Sequence, residues 1–536
     1  KSNCGYLKLY LLSKECAPRD FFQTMIILLI WVVVLIAVVV LYFRQVYSTF
    51  TRHGIKHLKP VPLLGNMGKL LLRREHFAYD ILNLYNNVIR DIELVKKITV
   101  KDFEYFINHR NFATDSFFGR TLFFLQGHEW KDMRSTLSPA FTSSKIRLMV
   151  PFLVEVGDQM IRALKAKIKA SGDNYVEIEC RDLTTRYAND VIASCAFGLK
   201  VDSQTEQNNE FYVMGKTATN FSFRQIIMLF FLMISPKLIK LLKWDIINDA
   251  VKKFFTNLVL DTMKDRDMRH IIRSDMIHLL MEAKKGKLSH EDVQSNDGAA
   301  GFATVEESSV GKKEIIREWK DGDLVSQAFL FFLAGFESIS TSMSFLLYEL
   351  AVNPEVQDRL AQEIREHDAK NGGKFDFNSI QSMTYMDMVV SESLRRWPPV
   401  VAMDRVCDKD YNMRKPNEAA EKDFILRKGS VVMVPTFAFH NDPKYFPEPE
   451  KFDPERFSEE NKHKINPLAY MPFGFGPRNC IGSRFALCEV KAMAYQLLRH
   501  MELSPCEKTC IPAKLATDNF NLRLQGGDWL RFRLRQ

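Results

Sequence analysis

Phe473-Gly474-Phe475-Gly476-Pro477-Arg478-Asn479-Cys480-Ile481-Gly482 (FGFGPRNCIG, 473–482) is the stretch that decides the fold. Helical periodicity begins just after it, through Ser483, Ala486, Leu487, Val490, Ala494 and Leu498. Cys480 is therefore expected at a helix entrance, where free backbone N–H groups and the helix dipole favour a thiolate. Gly474, Gly476 and Gly482 lack Cβ atoms, so the loop is expected to turn tightly and the helix start to approach a ligand closely. A lone cysteine in an apolar stretch is ordinarily an inert core residue.

The spacing FxxGxxxCxG resembles the haem-binding signature of the cytochrome P450 superfamily. That resemblance implies that Cys480 is the thiolate ligand of the iron of haem b, with Phe473, Arg478 and Gly482 shaping the ligand loop. A thiolate ligand gives haem iron the electron density that favours cleaving the dioxygen bond. The implied fold class is mainly α with small β-sheets, a single large haem-thiolate monooxygenase fold behind an N-terminal transmembrane helix.

The chain has 536 residues, 46% of them hydrophobic, enough for a substantial core. Its formal charge of +9 is diffuse, and no basic run is interleaved with stacking aromatics, which argues against a nucleic-acid partner. Nine cysteines contain no CxxC pair, arguing against a disulfide framework or a zinc site.

The run from Met25 to Phe43 carries no charge and is long enough to cross most of a bilayer as a helix. Bulky Tyr42 and Phe43 lead into Arg44, Arg52, Lys56 and Lys59, unlike a cleavage site, so the run reads as a retained anchor with a cytoplasmic catalytic domain behind it. The expected organisation is 1–24 leader or appended sequence, with Met25 as initiator; 25–43 transmembrane anchor; 44–69 proline-containing linker; and 70–536 catalytic domain. Phe221–Trp244 reads as a buried or interfacial apolar segment, and the resemblance implies a substrate-pocket roof there that dips into the membrane. Lys284–Lys313 reads as an exposed polar loop.

Leu324–Leu350 has a long helical pattern interrupted by Ala334-Gly335-Phe336-Glu337-Ser338, where Gly costs about 1 kcal/mol relative to Ala. The segment resembles the family's oxygen-activation motif (A/G)Gx(D/E)T, with Ser338 in place of Thr. The resemblance implies that Gly335 lets the helix pass close over the haem and that Glu337 and Ser338 deliver protons; Ser340 and Thr341 are alternative hydroxyls. Glu392 and Arg395 lie at i and i+3 and, with Arg456, resemble the family's Glu-Arg-Arg network, a structural element of the pocket. Trp130, Arg134, Arg405 and Arg478 stand where the family holds the haem propionates.

Phe117, Phe118, Phe123, GRTLFFLQGHEW and DMRSTLSPAFTSSK look most like insect microsomal members of the xenobiotic-metabolising group. The implied function is monooxygenation of lipophilic substrates at the endoplasmic reticulum membrane. The implied partners are an NADPH-dependent flavoprotein reductase as electron donor, a small b-type cytochrome, membrane lipid, dioxygen and the substrate. Lys131, Arg478 and Arg484 are expected to form the reductase docking face. The alternatives are a haem-thiolate isomerase or dehydratase acting on peroxides, a monooxygenase of endogenous fatty acid or hormone metabolism, and a non-catalytic haem-binding or membrane interaction protein.

Overall fold

The computed structural model describes residues 17–52, 69, 73–87, 91–110, 117–220, 225, 228, 247–285, 301–307, 310, 319–415, 422–517 and 521–535. The chain forms two compact units: Lys1–Arg74 with Asn86–Ile89 and Asn412–Ile425, and Glu75–Tyr85 with Arg90–Tyr411 and Leu426–Gln536.

In the first unit the uncharged run lies inside one helix, Ala17–Arg52, of 36 residues. Its Phe22–Ser48 portion, 27 residues, is long and apolar enough to span a membrane. At 1.5 Å per residue that portion reaches about 40 Å, more than the roughly 30 Å hydrocarbon core. Large apolar side chains from Met25 to Tyr42 are exposed. The expected boundaries at Met25 and Phe43 both fall within the helix, because helical bonding continues through the polar residues that flank the apolar run. Most of the expected linker, nearly all of Phe221–Trp244 and most of Lys284–Lys313 lie outside the described residues.

The second unit is mainly helical. Helices Ser143–Ser171, Cys180–Ile192, Ser340–Val352, Thr384–Arg396 and Ser483–His500 pack on one another around Leu153, Tyr187, Leu346, Val389 and Leu497, all buried. A three-stranded antiparallel sheet has Trp529–Leu534 between Tyr175–Glu179 and Met501–Pro505, with Ile178 opposite Leu530 and Leu503 opposite Phe532. A two-stranded sheet pairs Met403–Val406 with Val431–Val434 and sets Arg405 opposite Val432.

The central helix is α-helical over Asp321–Ala334, makes one π turn over Gly335–Ile339, and resumes as α over Ser340–Val352. A single π turn inside an α-helix commonly marks a functional site. The interruption read in the sequence is thus a change of winding with no break in the helix. This helix is also apolar enough to cross a membrane, but most of it is buried inside the protein, as a core helix is.

Candidate functional site

The ligand loop closes on itself: Cys480 N donates to Phe473 O at 2.8 Å, Asn479 N to Gly476 O at 3.0 Å, and Gly474 N to Met471 O at 3.1 Å. Gly474 and Gly476 have φ of +80° and +76°, the left-handed region that strains side chains. A Cβ at Gly476 would fall 2.0 Å from Thr99 O, and one at Gly474 2.9 Å from Met403 Sδ. Gly482 behaves differently: its φ is −94° and a Cβ there would meet nothing nearer than Phe141 at 3.6 Å. Protein packing and backbone conformation therefore require glycine at 474 and 476, while protein packing sets no such demand at 482.

Cys480 lies two residues before Gly482, the cap of helix Ser483–His500. Its side chain is accessible at its tip yet surrounded by many protein atoms, and that surrounding governs its dielectric. Burial pushes the thiol up, against the opposing pulls of the Gly482 N–H and Arg134. The helix-entrance N–H thus acts in the expected direction, toward the thiolate, while burial opposes it. A bound metal cation changes the balance, because a coordinating thiol is deprotonated outright.

Arg405 is buried and, among the described residues, donates only from Nη1, to Asp404 O at 2.7 Å, while its buried Nε and Nη2 have no partner. Burial pulls its pKa down to about 10, with Asp404 opposing. Two buried, unsatisfied donors on one edge of a guanidinium are costly, and a ligand carboxylate would satisfy both at once. Haem carries propionate carboxylates, so Arg405 and Cys480 fit that group.

Arg134 is already paired. Its Nε and Nη2 bond Glu307 at 3.0 and 2.7 Å, and Nη1 and Nη2 bond Asn479 O and Oδ1 at 2.7 and 2.8 Å. Arg478 is buried and donates to the carbonyls of Ile107, Leu122, Phe123 and Leu125 at 2.7 to 3.3 Å. Its guanidinium sits 4.1 Å over the ring of Trp130, itself buried and edge-on to Phe103. Arg478 is thus an internal strut, and its place in the docking face expected from Lys131, Arg478 and Arg484 is corrected: a side chain enclosed by four backbone carbonyls presents no charge to a partner. Lys131 pairs with Glu104 at 2.9 Å and Arg484 Nη1 contacts Ser143 Oγ at 3.5 Å.

Glu392 and Arg395 are fully buried and bonded by a fork at 2.7 and 2.9 Å. Arg395 also donates to His440 O and Pro449 O, each at 2.8 Å, while Arg456 Nε lies 3.5 Å from Glu392. His440, which the sequence reading missed, joins this network to the ligand loop. Its Nε2 accepts from Met471 N at 2.9 Å, so Nδ1 carries the proton and donates to Arg395 O at 2.9 Å.

Burial, with Arg395 adding to it, lowers the His440 pKa to about 3. An unfolded histidine takes its proton near pH 6.5 and the folded one resists until about 3. Stability therefore falls as pH drops through that window, by up to about 1.4 kcal/mol per pH unit from this residue. Denaturant unfolding at about pH 7 and about pH 5 should show a loss on the order of 2 kcal/mol attributable to His440, and His440→Gln should remove that share of the slope.

At the π turn a Cβ on Gly335 would lie 3.0 Å from Ile192 Cδ1. The missing Cβ at Gly335 thus lets helix Cys180–Ile192 pack closely against the π turn. Glu337 pairs with Arg181 and Arg523, accepts from Asn521 Nδ2 at 2.7 Å, and borders a cavity of about 310 Å³ with Tyr212 and Lys216. Ser338 Oγ donates to Ala334 O at 2.5 Å. Ser340 and Thr341 are buried and bonded to the carbonyls of Phe336 and Glu337 at 2.6 and 2.8 Å, and Thr341 also accepts from Arg181.

The family model described as cytochrome P450 matches residues 74–529. This chain belongs to the cytochrome P450 family. It is 45% identical over 517 residues to cytochrome P450 9e2 of Blattella germanica, covering 90% of this chain and 93% of that protein. It is 42% identical over 512 residues to probable cytochrome P450 9f2 of Drosophila melanogaster, covering 90% and 94%. Probable cytochrome P450 6a13 of the same fly is 36% identical over 509 residues, covering 91% and 95%.

P450 proteins bind haem and act as monooxygenases. In this P450 the fold brings Cys480, Trp130, Arg134 and Arg478 together around one loop, and Glu392, Arg395 and Arg456 around another. It also adds His109, which no sequence pattern singled out. His109 Nδ1 lies 2.9 Å from Asp404, beside Arg405 and Arg478, and burial lowers its pKa to about 4.

Proposed function

We propose that this P450 inserts one atom of dioxygen into lipophilic substrates by hydroxylation, epoxidation or dealkylation, in xenobiotic detoxification at the endoplasmic reticulum membrane with the catalytic domain facing the cytoplasm. The observations that carry this reading are an accessible Cys480 on a loop bonded to Arg134 and a buried Arg405 with two donors unsatisfied among the described residues. Cys480 would be the axial ligand and Arg405 would hold a propionate, while Trp130, Arg134, Phe473 and Arg478 fix the loop that carries the sulfur. When bound, haem supplies the iron at which dioxygen is activated. Electrons would come from NADPH through a membrane-bound flavoprotein reductase, with a small b-type cytochrome as accessory donor.

Glu337 and Ser338 would manage protons. Ser338 must rotate its Oγ–H away from Ala334 O to donate elsewhere, and serine does so more freely than threonine because it lacks the branching methyl. Ser338→Ala is expected to raise peroxide released per NADPH consumed, in assays with reductase and a turned-over substrate. An unchanged ratio with normal product yield would remove Ser338 from the proton path.

The test of the function is the carbon monoxide difference spectrum of the reduced protein, followed by NADPH consumption with reductase across a panel of lipophilic compounds. A thiolate-type spectrum with peroxide rearrangement and no NADPH-dependent product would favour the isomerase or dehydratase reading instead.

A further inference from the structure

We propose that Gly301–Glu307, a strap within the polar stretch 284–313, is a positioning element for the thiolate loop, in which Glu307 acts through Arg134 and Asn479 on the neighbour of Cys480. This rests on the haem-thiolate reading above.

The strap is seated at both ends. Gly301 has φ +146°, and a Cβ there would fall 1.9 Å from Asp387 Oδ1, so a larger residue could not sit at this point. Phe302 N donates to Asp387 Oδ2 at 2.8 Å, and Asp387 Oδ1 pairs at 2.8 Å with buried Lys491 of the helix that follows the ligand loop. The Phe302 ring packs 5.1 Å from Phe457 and 5.5 Å from Tyr470. At the other end Asn479 Nδ2 donates to Glu306 O at 3.0 Å, and Glu307 grips Arg134 with both carboxylate oxygens.

Asn479 is thus enclosed on two sides. Arg134 holds its backbone and side-chain oxygens, the strap holds its side-chain nitrogen, and the next residue is Cys480. The Arg134 side chain is 3% exposed and that of Glu307 19%, so solvent screens the pair far less than a surface ion pair. The Arg134 charge therefore lies against the residue next to the ligand sulfur, and the Glu307 carboxylate is its paired counterion. Removing the carboxylate charge deprives the buried Arg134 cation of its ion-pair partner and raises the net positive charge near the ligand loop. That makes an added electron at the iron more favourable.

The test compares wild-type, Glu307→Gln, Glu307→Asp and Phe302→Ala as full-length, haem-loaded protein. It reads the iron reduction potential and the ratio of thiolate-type to thiol-type carbon monoxide bands after brief warming. Glu307→Gln keeps shape and hydrogen bonding but loses the charge, so it should shift the potential positive, while Glu307→Asp stays near wild type. Phe302→Ala keeps the charge and loosens the far end, so it should lower the band ratio. A wild-type potential in Glu307→Gln together with a wild-type band ratio in Phe302→Ala would overturn the proposal. Absence of a thiolate-type band in the wild-type protein would instead overturn the reading on which it rests.

Discussion

Cys480→Ser is expected to abolish the thiolate-type carbon monoxide spectrum and reduce NADPH-dependent product to background, with little change in the stability of the fold. The hydroxyl occupies nearly the same volume, and the loop is held by backbone bonds the substitution leaves alone, from Cys480 N to Phe473 O and Asn479 N to Gly476 O. Those bonds, and the positive φ angles at Gly474 and Gly476, set the loop independently of sulfur. What serine cannot supply is a group that ionises on binding iron and donates charge to it. The environment sharpens the contrast: burial already pushes the cysteine thiol up, and an alcohol in the same place would resist ionisation far more. Circular dichroism melting together with the reduced carbon monoxide spectrum checks both halves. An unaltered spectrum in Cys480→Ser would show that another residue ligates the metal.

What could be read in the sequence follows from how local each signal is. The ligand loop is contiguous, and the Glu392–Arg395 pair sits at helical spacing, so both were visible before any coordinates. The apolar N-terminal helix is legible for the same reason, although its ends are not, since polar residues continue a helix as readily as they stop it. Arg478 was misplaced on the surface because its partners are carbonyls contributed by residues 107 to 125, and no residue type encodes a carbonyl. His440 was invisible for that reason too, since both ring nitrogens bond backbone groups. The close approach of Ile192 to Gly335 is not legible, because Ile192 is distant in the chain and nothing local identifies it.

Arg395→Ala is expected to destabilise the protein by about 3–5 kcal/mol, the range for removing one partner of a buried ion pair, and to prevent stable haem loading. The substitution leaves Glu392 fully buried, with the backbone N–H of Asp453 at 3.0 Å and Arg456 at 3.5 Å as its remaining partners. It also strands the carbonyls of His440 and Pro449, which face the guanidinium at 2.8 Å. His440 carries the damage toward the site, because its ring is held between the Arg395 carbonyl and the amide of Met471, which leads into the ligand loop. Arg395→Lys should recover little, since an ammonium cannot match the fork that meets both oxygens of Glu392. Replacing Glu392 and Arg395 together by leucine removes both charges and should cost less than Arg395→Ala alone. Denaturant unfolding of the three variants separates the possibilities. If the double leucine variant proves the least stable, the pair contributes net stability through its hydrogen bonds, and the cost assigned to an unpaired Glu392 is wrong.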